Sequence, residues 1–281
     1  MRQSENIDKV TIIIPTCKRQ DMLRRALQSA INQSYENIEI IVVDDANEKA
    51  TEEYVSSLKL PNIIYKTSNS IGGAGARNVG IEIASGKYIT FLDDDDIFHK
   101  EKTSKQVKSI KDNDSDIVLC ASQTMYKKKI DKLPVDHNIK NQLKKGNPYH
   151  ITLLCKNDIL KKIKFDEELP NCQDWDLLVR LMKNNYKFNY IDDLLVTRDD
   201  GDHLRITNSV INMNENIEKR IIALTKHKDW LGYNYYSFRA AKEELSYIMK
   251  RKKKINILVN TYQRYGITPI IFLLLAKLKI I

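Results

Sequence analysis

Four consecutive carboxylates, Asp93 to Asp96, are the strongest candidate for chemistry in the 281-residue sequence. They follow Gly86–Leu92, a largely apolar run that predicts a strand ending at the carboxylates. Hard divalent cations such as Mg²⁺ and Mn²⁺ bind carboxylate oxygens together with substrate phosphates, so the cluster indicates a metal site. The alternative interpretation is a solvated acidic loop in which Asp96 or a neighbour caps the next helix.

Two further predicted strands end in polar or charged residues. The apolar, β-branched run Val10–Thr16 leads to Arg19, and Ile38–Val43 ends in Asp44 and Asp45. Such continuous runs are typical of strands that are buried on both faces of a parallel sheet. Because ligands of such sheets bind at the carboxyl ends of the strands, the three strand ends together indicate one ligand site.

A glycine-containing loop, Ser68–Asn78, precedes the acidic strand. Its glycines allow the backbone to approach a ligand closely, and a helix that begins near Ala74 would offer amide groups to an anion. A flexible connection is the alternative interpretation, because the loop lacks the full spacing of a dinucleotide-binding or P-loop motif.

Amphipathic helices alternate with these strands, and this alternation predicts the fold. Helices are predicted over residues 18–33, 48–58, 74–84 and 101–111, and further strands over 62–66, 116–122 and 150–154. A basic, irregular excursion is predicted over residues 125–145. Strand-helix-strand units of this length form right-handed crossovers. The sequence therefore predicts an α/β layered fold with a mostly parallel central sheet.

A carboxylate also stands at the start of a later helix. The loop Phe165–Gln173 leads into a helix marked by Leu177, Leu178 and Leu181, and Asp174 lies in its first turn. The helix dipole favours a negative charge at this position. Simple capping of the helix is the alternative role.

The composition is that of an ordinary globular protein, with 42% hydrophobic and 30% charged residues. A net charge of +9 favours polyanionic partners, which are nucleic acid, anionic lipid or a phosphorylated substrate. The four cysteines form no CxxC pair, which is typical of a protein in a reducing cytosol. The polar N-terminus does not resemble a signal peptide, and no window approaches the roughly 20 apolar residues of a spanning helix.

The pattern is wholly helical from about Ser209 onward. It includes the basic run Lys250–Lys254 and the short apolar segment Ile267–Ala276. Basic residues next to a short apolar segment favour attachment to an anionic membrane surface. The alternative is that the segment packs on the protein or on a partner subunit while the lysines are solvated.

Five motifs occur in one order along the chain: Pro15-Thr16, Asp44-Asp45, Gly75–Asn78, Gly86–Asp96 and Gln173–Asp176. Together they resemble the family 2 glycosyltransferases, which have the GT-A fold. The resemblance implies a catalytic domain over residues 1–208 and a helical C-terminal region over 209–281. It also implies transfer of a sugar, with inversion, from a nucleotide diphosphate donor, commonly a UDP-sugar. The acceptor would be a saccharide or a lipid-linked saccharide, as in bacterial surface polysaccharide synthesis.

The resemblance assigns roles in the nucleotide site. Thr16 and Arg19 would line this site, Asp45 would hydrogen-bond the uracil, and Arg77 would lie against the same pocket. Many family members carry an aromatic residue after the Pro-Thr pair, whereas this chain has Cys17. We therefore expect different contacts at the rim of the base pocket.

The resemblance also assigns the metal ligands and the base. Asp93 and Asp95 match the outer positions of the family's Asp-x-Asp motif, which implies a manganese or magnesium ion, and Asp94 would face the ribose or the surroundings of the metal. Asp174 matches the catalytic base. The residue before the base is often Glu in the family and is Gln173 here, so the sugar contacts of that position are expected to differ.

A third candidate region is Val196–Arg205, which follows a predicted strand. Many family members have a basic or histidine-containing loop here that closes on the diphosphate, and His203 and Arg205 could have that role. The alternative is that His203 is an exposed loop residue.

The chemistry of such a transfer requires two separate acidic elements. A metal held by carboxylates stabilises the charge that develops on the departing diphosphate, and a carboxylate elsewhere removes the proton of the attacking hydroxyl. Two other functions compete with this interpretation. A sugar-phosphate nucleotidyltransferase usually begins with a glycine-rich loop and an Arg-Lys region, which are absent after Val10–Pro15. In a nucleic-acid-binding protein we would expect aromatic residues interleaved with the basic ones. This chain lacks that pattern.

Overall fold

A computed structural model describes residues 7–69, 71–133, 138–149, 152–201, 217–245 and 254–277. The described residues cluster into two compact units, one within Met1–Glu167 and Gln173–Asp202 and the other within Glu168–Cys172 and His203–Ile281. The predicted boundary at residue 208 falls in 202–216, which is outside the described ranges, and it stays a prediction.

The first unit is built on one sheet. Its described strands are β1 (Val10–Thr16), β2 (Ile38–Asp44), β3 (Ile63–Thr67), β4 (Tyr88–Phe91), β5 (Ile97–Phe98), β6 (Ile117–Thr124), β7 (Ile130–Asp131), β8 (Leu154–Lys156) and β9 (Phe188–Arg198). Their order in the sheet is β3-β2-β1-β4-β8-β6-β9-β5, and β7 pairs with β6 outside this path.

Helices connect the strands of this unit and make up the second unit. The first unit contains α1 (Gln20–Ile31), α2 (Lys49–Ser57), α3 (Gly72–Ile83), α4 (Lys102–Asp112), α5 (Ile139–Lys145), α6 (Asn157–Ile163) and α7 (Gln173–Lys183). The second contains α8 (Ile217–Lys226), α9 (Lys228–Leu231), α10 (Tyr233–Leu245), α11 (Lys254–Tyr265) and α12 (Ile267–Lys277).

The longer strand pairings are parallel, which confirms the predicted fold class. Strands β3, β2, β1 and β4 are parallel neighbours, and β6 is parallel to β9. The chain crosses from β3 back to β4, on the other side of β1 from β2. The order therefore reverses between β1 and β4, and in such sheets the crevice beside the strand ends at this point is where ligands bind.

Some predicted elements differ from the structure. The strand expected over 150–154 is instead β8, Leu154–Lys156, which pairs antiparallel with both β4 and β6; residues 150–151 lie outside the described ranges. Its pairings with β4 and β6 place this strand, and the ammonium of Lys156 adds a contact to Asp116, just before β6, at 2.7 Å. The excursion over 125–145 contains β7 and α5, and α6 was not predicted.

The buried strands β1 and β2 explain why the centre of the sheet was predictable. Every residue in both strands is buried. Ile12 and Ile14 of β1 pack with Leu23 and Leu27 of α1 in one hydrophobic cluster. Because side chains alternate along a strand, Ile13 points to the opposite face of the sheet, where it packs against Gly80 of α3. The helices α1 and α3 therefore cover opposite faces of β1.

A buried carboxylate joins two helices of the second unit. Glu244 of α10 accepts hydrogen bonds from the hydroxyl groups of Thr261 (2.9 Å) and Tyr265 (3.0 Å) and from Arg264 (2.9 Å), all on α11. Burial raises the pKa of the Tyr265 hydroxyl above its usual range, and the charge of Glu244 adds to this effect. Within the described ranges, every helix falls short of the length and apolar content that crossing a membrane requires.

We expect Gly80→Ala to destabilise the protein although alanine is the better helix former by about 1 kcal/mol. A Cβ atom at Gly80 would lie 2.5 Å from Cγ2 of Ile13, and overpacking of a core costs about 1–3 kcal/mol. Urea denaturation measures the loss. In an Ile13→Ala background the contacting atoms are gone, so the same substitution should carry no penalty there. If Gly80→Ala raised the free energy of unfolding in the protein that keeps Ile13, the close packing of Gly80 against Ile13 would be contradicted.

Candidate active site

The acidic cluster lies in a tight turn directly after β4. The amide of Leu92 still donates to the carbonyl of Ile13 in β1 at 3.0 Å, and the amide of Asp96 donates to the carbonyl of Asp93 at 3.0 Å. This turn brings carboxylate oxygens of Asp93, Asp95 and Asp96 within 4.8 Å of one another. Such a set of hard oxygen donors fits a divalent cation such as Mn²⁺ or Mg²⁺.

Asp96 is part of this cluster, which corrects its interpretation as a helix cap. The residues that follow it form β5, and α4 begins only at Lys102. Its side chain is buried, and its Oδ1 accepts a hydrogen bond from the backbone amide of Asp199 at 2.9 Å. Burial raises the pKa of Asp96 well above its usual range, and the neighbouring carboxylates of Asp93 and Asp95 raise it further.

Asp94 is fully buried, whereas its neighbours Asp93 and Asp95 are partly exposed. Its Oδ2 accepts a hydrogen bond from the hydroxyl of Thr16 at 2.8 Å, and its Oδ1 lies 2.7 Å from Nη2 of Arg19. Burial raises the pKa of Asp94 to about 7, although Arg19 and Thr16 oppose this shift. Asp94 therefore ties the acidic turn to the end of β1.

Two arginines contact the cluster from opposite faces of the sheet. Arg19, immediately before α1, also reaches Oδ2 of Asp95 at 3.2 Å. Burial opposes the charge of Arg19, but the carboxylates outweigh burial and raise its pKa. Arg77 of α3 lies 2.5 Å from Oδ1 of Asp93 and above the ring of Phe165. The two guanidinium groups compensate carboxylate charge and are placed to meet an anionic ligand.

Asp45 lies beside Thr16 and holds the start of α3. Its amide donates to the Thr16 carbonyl at 2.8 Å. Its carboxylate accepts hydrogen bonds from the hydroxyl of Ser68 and from the amides of Ile71 and Gly72, at 2.8, 2.8 and 3.0 Å. The helix starts at Gly72 rather than near Ala74, and its first amides bind this side chain. We expected the amides at the start of this helix to be free for an anion. The amides of Ile71 and Gly72 instead donate to Asp45.

Asp174 lies in the first turn of α7, as predicted. Its Oδ2 accepts a hydrogen bond from the side-chain amide of Asn147 at 2.7 Å, and its Oδ1 accepts from the amide of Trp175 at 2.9 Å. Trp175 is buried and donates from Nε1 to the carbonyl of Leu143 in α5 at 2.8 Å. Arg180 binds Asp176 at 2.7 Å and the carbonyl of Ile163 at the end of α6 at 2.6 Å. The position of Asp174 is thus set by α5 and α6.

The structure brings most of the predicted site residues together by direct contact. These are Thr16, Arg19, Arg77, Asp93, Asp94 and Asp95, with Asp45 joined to Thr16 through the backbone. Asp174 has separate partners, which are Asn147 after the end of α5 and Trp175 of α7. His203 and Arg205 lie in 202–216, outside the described residues, so their role stays a prediction.

Sequence reasoning missed Arg25, Asn147 and Asp199. Arg25 of α1 donates to the backbone carbonyl of Asp95 and to the carboxylate of Asp199, both at 2.6 Å. Asp199 falls in the stretch Val196–Arg205 that the sequence singled out, but Val196–Arg198 belong to β9 rather than following it. Nothing in the sequence separates Arg25 from Arg24, which lies over the ring of Tyr54.

Comparison with protein families gives a match to the family described as Glycosyl transferase family 2, over residues 11–166. An uncharacterised glycosyltransferase of Methanocaldococcus jannaschii is 31% identical over 201 residues, which are 66% of this chain and 69% of that protein. The amylovoran biosynthesis glycosyltransferase AmsB of Erwinia amylovora is 28% identical over 268 residues, or 86% of this chain and 85% of AmsB. An uncharacterised glycosyltransferase of Rickettsia felis is 38% identical over 121 residues, but this chain spans only 19% of its length.

Solved structures share the fold. The crystal structure of residues 1–349 of TarS from S. aureus, in complex with UDP-GlcNAc, superposes with a TM-score of 0.68 at 18% identity and covers 93% of this chain and 82% of that one. The mannosyltransferase PcManGT from Pyrobaculum calidifontis, in complex with GDP-Man and Mn²⁺, gives a TM-score of 0.62 at 15% identity and covers 94% and 85%. These likenesses confirm the predicted GT-A architecture.

Proposed function

The chain belongs to glycosyl transferase family 2, and from that premise we propose that it transfers a sugar from a UDP-sugar to an acceptor hydroxyl with inversion, assisted by a divalent cation. The observation that carries this proposal is the acidic turn after β4. Three carboxylates offer oxygens within 4.8 Å of one another there, and Arg19 and Arg77 contact the turn from opposite faces of the sheet.

The proposed metal ligands are Asp93 and Asp95, with Asp95 the direct ligand, and the geometry adds Asp96 to this set. The donor set fits because hard divalent cations prefer carboxylate oxygens. A bound cation supplies charge that stabilises the departing diphosphate. Support for the metal comes from PcManGT, a protein of the same fold whose complex contains Mn²⁺. Either manganese or magnesium meets the chemical requirement.

The nucleotide is proposed to lie at the ends of β1 and β2. Thr16 and Arg19 line this site, Asp45 accepts a hydrogen bond from the uracil, and Arg77 lies against the same pocket. Asp94 is proposed to act next to the metal by holding Thr16 and Arg19 in place. His203 and Arg205 are proposed to close on the diphosphate. TarS, whose complex contains UDP-GlcNAc, supports the choice of a uridine nucleotide.

Asp174 is the proposed catalytic base. Its carboxylate takes the proton of the acceptor hydroxyl as that oxygen attacks the anomeric carbon, while the bond to the nucleoside diphosphate breaks on the opposite face of the sugar. The amide of Asn147 donates to Oδ2 of Asp174, which orients the carboxylate. The acceptor is proposed to be a saccharide or a lipid-linked saccharide of a surface polysaccharide, as the name of AmsB suggests for that relative.

The second unit is proposed to contact the cytosolic face of an anionic membrane. The basic run Lys250–Lys254 directly precedes the apolar residues of α11. Four of these, at helical spacing, are exposed to solvent: Ile255, Leu258, Val259 and Tyr262. An apolar stripe of this kind next to a basic run is typical of helices that lie in the membrane interface.

Substitutions separate metal binding from proton transfer. We expect Asp95→Ala to lose metal-dependent UDP binding, because a direct ligand is removed. Asp174→Asn should keep this binding, while turnover falls by about 100- to 10,000-fold, the usual contribution of a general base. Calorimetry with UDP and Mn²⁺ and a transfer assay over several nucleotide-sugars measure the two effects. Asp21→Ala, an exposed carboxylate of α1, is the matched control.

Near-normal turnover in Asp174→Asn would refute the assignment of the base. Metal-independent UDP binding that survives Asp95→Ala would refute the assignment of the metal site. Tight binding of DNA or RNA without any metal-dependent nucleotide binding would overturn the proposed function as a whole.

Alkylation of Cys17 tests the position of the nucleotide. Cys17 is exposed directly after β1, and the partial burial of its thiol, together with the charges of Asp45 and Asp44, raises its pKa. We expect UDP with Mn²⁺ to slow its reaction with iodoacetamide at pH 8.5, as followed by mass spectrometry. Cys172, which is also exposed, is the internal control and should react at an unchanged rate. Equal rates at Cys17 with and without UDP would place the nucleotide elsewhere.

Vesicle sedimentation tests the membrane contact. We expect the protein to sediment with vesicles that contain anionic lipid and to be released when Ile255 and Val259 are both replaced by Glu. The matched control replaces Asn256 and Asn260 by Glu, since both are exposed on α11 outside the apolar stripe. This control has the same charge change as the Ile255 and Val259 variant, and a larger fraction of it should sediment with the vesicles. Protein that remains wholly in the supernatant would contradict the contact.

A further inference from the structure

Arg25 joins three segments that are distant in sequence. Its Nη2 donates to the backbone carbonyl of Asp95 and to Oδ2 of Asp199, each at 2.6 Å. Its Nη1 lies 3.6 Å from the sulfur of Met125, in the turn after β6. One guanidinium therefore holds the acidic turn, the end of β9 and the end of β6 against α1.

Both carboxylate oxygens and the backbone amide of Asp199 make hydrogen bonds. Its Oδ2 binds Arg25, its Oδ1 accepts from the amide of Gly201 at 2.8 Å, and its own amide donates to Oδ1 of Asp96 at 2.9 Å. The adjoining backbone is also anchored, because the amide of Met125 donates to the carbonyl of Arg198 at 2.7 Å. Arg25 therefore acts on Asp95 through the backbone and on Asp96 through Asp199.

The contact of Arg25 differs in kind from those of Arg19 and Arg77. Those two arginines lie against carboxylate oxygens of the cluster. Arg25 instead donates to the carbonyl of Asp95 and leaves the Asp95 carboxylate to other partners. It can therefore fix the direction of that carboxylate without competing with a cation for its oxygens. Both bonds are made by Nη2, whose two N–H groups lie in the plane of the guanidinium, so the plane fixes their directions. A lysine ammonium also carries several donors, but it lacks this rigid plane and ends on a differently shaped stem.

On these contacts, and resting on the proposed function, we propose that Arg25 is a positioning residue that aligns Asp95 and Asp96 for a divalent cation through the Arg25–Asp199 pair. Alignment and simple electrostatics predict effects of opposite sign. Removing a positive charge next to a cation site strengthens cation binding if charge alone matters. If Arg25 aligns the ligands, its removal weakens cation binding despite the favourable change in charge.

The experiment measures Mn²⁺ binding to the full chain by electron paramagnetic resonance of the free ion, with and without UDP. We expect Arg25→Met to weaken binding by about 10- to 100-fold, the usual effect of changing a group that orients a metal ligand. Arg25→Lys keeps the charge and should also weaken binding, because the planar group that directs both Nη2 bonds is lost. Arg24→Met is the matched control, with the same charge change one residue earlier on α1, and should bind Mn²⁺ as the unchanged protein does.

A double-mutant cycle tests the pathway through Asp199. Asp199→Asn should weaken Mn²⁺ binding as well, and in the Arg25→Met background it should add little, because both changes break the same pair. Circular dichroism and thermal unfolding confirm that each variant is folded. If Arg25→Met fails to fold, Arg25→Lys, which keeps the charge, takes its place in the cycle.

Two outcomes overturn the proposal and can be told apart. Tighter binding by Arg25→Met with unchanged binding by Arg25→Lys means that only the charge of Arg25 matters, and the metal site itself stands. If the protein without substitutions binds no Mn²⁺, with or without UDP, the metal site of the proposed function is refuted. The alignment by Arg25 is then refuted with it.

Discussion

Repulsion among four adjacent carboxylates is the constraint on which the candidate active site depends. Unpaired carboxylates in a protein interior are strongly unfavourable unless nearby cations or hydrogen bonds compensate them. The chain provides this compensation from Arg19, immediately before α1, and from Arg77 of α3, and these two helices cover opposite faces of β1. Arg19 arrives from one face and Arg77 from the other. The packing of the helices on the sheet therefore decides whether the acidic turn can exist, and the compensation follows from that packing.

The turn also divides its four carboxylates by direction. Asp94 points inward to Thr16 and Arg19, whereas oxygens of Asp93, Asp95 and Asp96 lie within 4.8 Å of one another. Because the partly exposed Asp93 and Asp95 flank the inward Asp94, an Asp-x-Asp spacing suits a cation site at the end of a strand. The buried member has a cost, visible in its raised pKa, and the hydrogen bond from Thr16 and the ion pair with Arg19 offset part of that cost.

The predictability of each element from sequence follows from the kind of interaction that forms it. β1 and β2 are buried on both faces, so their apolar runs alone mark their position, and β1 was predicted with its observed bounds. β8 has only three residues and is positioned by its neighbours and by the Lys156–Asp116 contact, which sequence patterns do not contain. Arg25 and Asp199 are 174 residues apart. Only the fold brings such a pair together, so local patterns could suggest Asp199 but not its partner.

The two proposed halves of the reaction rest on different kinds of structure. The donor side is formed by strand ends, and the sheet hydrogen bonds of β1, β2 and β4 fix these relative to one another. Asp174, on the proposed acceptor side, accepts from the side chain of Asn147, and its helix α7 is joined to α5 and α6 by bonds from Trp175 to Leu143 and from Arg180 to Ile163. Changes in α5 would therefore act on the position of Asp174, whereas α6 also contacts the approach to β4, where Asn157 donates to the carbonyl of Gly86. If Asp174 is the base, the acceptor side can diverge while the nucleotide side keeps its geometry.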